Sequence, residues 1–237
     1  ATYDLGATQI LELGGFTIGL SVFGAGKYST VIKTQTDSGS VGLFMRLGVS
    51  STVSDLSIIA TTGSGVFCFP IGVTTGSAAA TNFVLSNLYV SGGSDCIYIT
   101  VAGSSGEIRD CTLVSNYDCY NISSTGGQFD IYDCVSTATA GSNGFNDNGF
   151  GATFGEGTFN CYNCVASGSG GSTENRGFGI GLGGTVNIYG GKAASSGTNP
   201  HDLIIGFGGG TINIAIDVIF STTSGSPINV IQGSGGG

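Results

Sequence analysis

A degenerate repeat constrains this chain more than any other feature. Its clearest copies are Leu85-Ser-Asn-Leu88, Ile108-Arg-Asp-Cys111, Ile131-Tyr-Asp-Cys134, Cys161-Tyr-Asn-Cys164 and Ile188-Tyr-Gly-Gly191. Successive copies start 23, 23, 30 and 27 residues apart. A period of about 20–50 residues marks a solenoid, propeller or array, in which each unit buries its apolar face against its neighbours. Each unit holds two strand-like segments. The first alternates apolar residues, as in Ile97/Ile99, Tyr120/Ile122 and Phe178/Ile180. A glycine-rich turn follows, such as Gly126-Gly127 or Gly183-Gly184, and then the segment that carries the repeat.

In that second segment the apolar residues Ile131 and Cys134 are three apart. An unbroken strand would send them to opposite faces. A bend between them returns both to the interior. The bend position holds Asn87, Asp110, Asp133, Asn163 and Gly190, and these residue types tolerate left-handed backbone. The recurring bend argues against an antiparallel sandwich or barrel, which has no reason to repeat it in register.

The pattern resembles the right-handed parallel β-helix of the pectin-lyase-like superfamily, which includes phage tailspikes and bacterial adhesins. The resemblance rests on the I-x-[ND]-C-like bends and covers residues 40–230. It implies an all-β solenoid of about seven to eight coils. Residues 1–39 are expected to form an irregular first coil, a cap or an oligomerisation arm, and residues 40–237 the β-helix domain.

Composition narrows the function classes. Only six residues are Lys or Arg and net charge is −9, which excludes a nucleic-acid footprint. No run approaches the roughly 18 apolar residues of a membrane span. Charged residues make up 9%, against about 25% in ordinary domains, and 45 residues are glycine. The N-terminal Ala1 without a basic stretch fits a processed end, and hence export. Neither end shows a capping helix, so open sheet edges are expected to pair with further copies.

Three constellations carry candidate chemistry. The first is an inward ladder of Cys111, Cys134 and Cys164, with Cys161 in the place of Ile108 and Ile131. Its spacing permits a metal at Cys161 and Cys164, but the expected role is packing. Cys96 and Cys119 share another position, and adjacent coils about 4.8 Å apart fall within the Cα range of a disulfide. The second is an outward stripe of Tyr132, Tyr162 and Tyr189, with Arg109 one coil earlier. It suits a glycan surface, a stacking ladder or a subunit contact.

The third is an acidic edge of Asp95, Asp118, Asp147, Glu174, Arg176, His201 and Asp202. Asp95, Asp118 and Asp147 are candidate Ca²⁺ ligands. Arg176, His201 and Asp202 would add proton transfer or charge stabilisation. The resemblance implies a calcium-dependent polysaccharide lyase for such an edge, and paired carboxylates would serve a glycoside hydrolase. The polygalacturonase-like set of N-T-D, D-D, G-H-G and R-I-K motifs is not found. Asn121-Ile-Ser123 is a glycosylation sequon. The leading expectation is an extracellular, cell-surface or virion structural or adhesive protein, self-assembling and needing no cofactor. A polysaccharide-cleaving enzyme and a glycan-binding module are the alternatives.

Overall fold

The chain is an all-β parallel solenoid. The computed structural model describes residues 1–7, 11–13, 19–36, 42–62, 68–74, 77–139, 148–170, 174–180, 183–198, 200–205, 210–222 and 228–230. Their strands form one sheet of 13 strands and one of nine. Pairing is parallel from turn to turn in both sheets. One turn shows how a coil is made. Gln128–Tyr132 runs in the larger sheet, bends at Asp133 and continues as Val135–Thr139. The chain then crosses to Asn148–Phe154 in the smaller sheet and returns as Thr158–Ser169, one turn further along.

The bend works as its residue types demand. Asn87, Asp110, Asp133, Asn163 and Gly190 all have positive φ, between 50° and 69°. Asp55 joins them at 60°. The two sides of the bend both point inward, with Ile131 and Cys134 each only 1% exposed. These six bends mark six regular turns between residues 52 and 205. That corrects the expected seven to eight coils to about six.

The described part of residues 1–39 enters the same two sheets. Thr2–Ala7 pairs with Val31–Thr36, Ser21–Phe23 with Thr52–Thr62, and Leu11–Glu12 with Gly42–Arg46. Lys27 reaches across to donate to the Asp110 carbonyl at 2.6 Å, and Tyr28 packs on Tyr89 with ring centroids 5.6 Å apart. These strands therefore extend the coil and pack on its body.

In-register stacking turns each inward position into a column. Phe83, Gly106, Phe129, Phe159 and Val186 form one column. A side chain on Gly106 would begin 2.6 Å from the Phe83 ring, so glycine there makes room for that ring. Leu85, Ile108, Ile131, Cys161 and Ile188 form the next. The cysteines expected as a ladder hold neighbouring inward positions, and Cys111, Cys134, Cys161 and Cys164 are all buried free thiols. Burial pushes the Cys164 thiol up to about 12. Among the described residues no group of three or more His, Cys, Asp or Glu is placed to hold a metal.

Cys96 and Cys119, the candidate disulfide pair, are both free and buried thiols in this structure. Their strands are in register. Each thiol instead donates to a backbone carbonyl, Cys96 to Val90 at 3.6 Å and Cys119 to Leu113 at 3.5 Å.

Candidate functional site

The acidic edge exists as a register row in the smaller sheet. Asp95 pairs with Asp118, Asp118 with Phe150, Phe150 with Arg176, and Arg176 with His201. Phe150 thus interrupts the row between the acids and Arg176. Two rungs separate Asp118 from Arg176, about 10 Å at the usual strand spacing. Glu174 pairs with Asn148 two residues before the row, and Asp202 follows His201 in Pro200–Ile205. Asp147 lies outside the described residues.

Asp95 and Asp118 do not line an open edge. Each is 2% exposed. They are the first residues of the strands Asp95–Ile99 and Asp118–Ile122. Burial pushes the Asp95 carboxyl up to about 7, against the pull of hydrogen bonds from Asn121 and from the Asp118 backbone. The Asn121 amide donates to Asp95 at 3.3 Å. The nitrogen that a glycan would occupy at the sequon is therefore engaged on a half-buried strand. A polymer cannot touch two sealed carboxylates, so the pair is poorly placed as an acid and base for glycoside chemistry.

The outward face of the strands before the bend is organised differently. Tyr132, Tyr162 and Tyr189 stack with centroids 4.8 Å apart and ring planes 8° and 12° from parallel. Tyr162 therefore presents both ring faces to its neighbours, and sugar packing on those faces is blocked. Arg109 continues the row one turn earlier and pairs with Glu107 at 3.3 Å.

A second ladder runs two residues away and was not anticipated. Asn160 donates to Asp130, Asn187 to Asn160, and Asn213 to Asn187, each at 2.7 Å. Two residues further, Gln128, Thr158, Thr185 and Thr211 share a row. The signal was present as Thr158-Phe-Asn160, Thr185-Val-Asn187 and Thr211-Ile-Asn213. The bends add their own links, Asn87 to Asp55 and Asn163 to Asp133, again at 2.7 Å.

Neither a protein-family model nor a curated protein matches the chain. Among solved structures it is similar to the PL6 family alginate lyase AlyGC, at 12% identity and a TM-score of 0.20. The match covers 94% of this chain and 41% of that one, so the chain spans under half the length of that protein. A likeness this distant carries no argument about activity.

The tyrosine ladder makes a direct prediction. Tyr162→Ala removes two stacked pairs, each worth about 0.5–1.5 kcal/mol beyond area. Urea unfolding should show a loss of about 1–3 kcal/mol. Tyr162→Phe keeps both stacks and should stay within about 0.5 kcal/mol of the parent.

Proposed function

We propose that this chain is a rigid β-helical element of an extracellular or virion-borne structural or adhesive assembly. The observation that carries the reading is where the outward side chains go. Tyrosines stack on tyrosines and asparagines bond asparagines along the axis, so this face spends its functional groups on joining turns. Such ladders stiffen a stack whose units otherwise touch only their neighbours. Low charge and dense glycine suit a close-packed rod with few sites for protease entry. The sealing of Asp95 and Asp118 weighs against the lyase and hydrolase alternative at that row.

Negative-stain electron microscopy, with and without Ca²⁺, tests the reading together with a polysaccharide degradation screen. Straight rods or filaments without release of sugars are the expected result. Calcium-dependent release of unsaturated oligosaccharides from any polymer of the screen would overturn it.

A further inference from the structure

Beside the tyrosine ladder runs a polar trough that shares Asp130 with the asparagine ladder. It consists of two depressions that share Gln128. One, of about 440 Å³, includes Glu107, Gln128 and Asp130 in its lining. The other, of about 560 Å³, includes Gln128, Glu156, Thr158 and Thr185. Asn82 lies at one end and Thr185 at the other, so the trough crosses five successive turns. Four steps at the strand spacing make it about 19 Å long. It follows the solenoid axis, on the larger sheet and away from the acidic row of the smaller one.

We propose that this trough binds a linear polysaccharide bearing amino groups. Three properties carry the inference. The first is shape: a shallow channel along five turns fits an extended chain better than a compact ligand. The second is hydrogen bonding. Threonine hydroxyls, the Gln128 amide and carboxylates face the channel at repeated spacing, and glycines at 126, 157 and 183 keep one wall low. A polyhydroxylated chain can donate to and accept from such a lining at each step, where an apolar or compact ligand could not.

The third property is charge. Glu107, Asp130 and Glu156 line the two depressions, and among the described residues no Lys or Arg does. Arg109, in the tyrosine row, is paired with Glu107. Thr125 holds the Glu156 carboxylate, and Gln128 and Asn160 donate to Asp130, so two acids are oriented. With a net charge of −9 for the chain, a polyuronate or sulfated glycan is repelled and an amine-bearing one is attracted. The ligand class is thus opposite in charge to a pectin- or alginate-like polymer. The inference deepens the adhesive side of the proposed function and rests on it.

Isothermal titration calorimetry of the full chain tests this with four probes: a β-1,4-linked glucosamine hexamer, its N-acetylated form, hexagalacturonate and hexalysine. The glucosamine hexamer should bind, and more weakly as salt rises because exposed charges are screened. Thr158→Trp fills the channel and should weaken binding by about tenfold or more, which is about 1.4 kcal/mol. Gln128→Ala alters an exposed side chain, keeps the fold and should weaken binding several-fold. Absence of binding, equal binding of hexagalacturonate, or binding unchanged in both variants would overturn the proposal. Equal binding of the N-acetylated hexamer would overturn the amine assignment, and equal binding of hexalysine would replace sugar by basic peptide. Rods in the electron microscope without glucosamine-hexamer binding would leave the rod reading intact and reject only the ligand.

Discussion

Phe129→Ala should lower the unfolding free energy by about 3–5 kcal/mol. Phe129 is fully buried in the middle of the solenoid. Its ring stacks on Phe159 at 5.2 Å and 10° and meets Phe83 at 6.3 Å and 45° across Gly106. Truncation removes apolar area and leaves a cavity that rigid strands on both sides cannot collapse. The loss also falls on the interfaces between neighbouring turns, which set stability in a stacked repeat. Urea unfolding followed by circular dichroism should therefore show a lower midpoint and a broader or two-step transition. Phe129→Leu, which keeps most of the volume, should cost much less. A loss below about 1 kcal/mol for Phe129→Ala would mean that the column does not join the turns.

The second large effect concerns pH. Burial raises the Asp95 carboxyl from 3.8 to about 7. The folded chain therefore holds a proton that the unfolded chain releases above its ordinary carboxylate range. By linkage, stability falls as pH rises between about 4 and 7, and the full penalty is present above that window. At 1.36 kcal/mol per pH unit the difference is worth about 4 kcal/mol. The chain should melt at a higher temperature at pH 5 than at pH 8. Asp95→Asn keeps the shape without the ionisable group, so it should raise stability at pH 8 and flatten the slope. A melting temperature that rises from pH 5 to pH 8 would contradict the buried pair. Asp55 works in the opposite sense, since hydrogen bonds from Ser54 and Asn87 lower its pKa. Its contribution is present above the unfolded value and fades on acidification.

The bends were legible because backbone chemistry restricts them. Only Asn, Asp and Gly sit comfortably at positive φ, and all five expected bend residues have it. Asp55 escaped notice because its copy, Val53-Ser-Asp-Leu56, lies where the repeat is least regular. The tyrosine row was legible because Tyr132, Tyr162 and Tyr189 keep a constant offset from the bend. What a stack does with that row was not, since open faces and self-stacked faces need the same residues.

The asparagine ladder hid behind its first member, Asp130, which breaks the residue identity but accepts the first hydrogen bond. The burial of Asp95 and Asp118 could not be read either. An acid at the start of a strand has the same local sequence whether the fold buries it or leaves it in water.

The outward rows fuse the turns into one stiff body. Hydrogen-exchange mass spectrometry on the intact chain tests it most directly. Exchange should be slow and matched for Phe83–Gly92, Gln128–Tyr132, Thr158–Ser169 and Thr185–Ser195, and faster in the flanking strands. Tyr162→Ala should speed exchange in all the neighbouring turns together. Fast exchange through Gln128–Tyr132, or a Tyr162→Ala effect confined to its own strand, would contradict it.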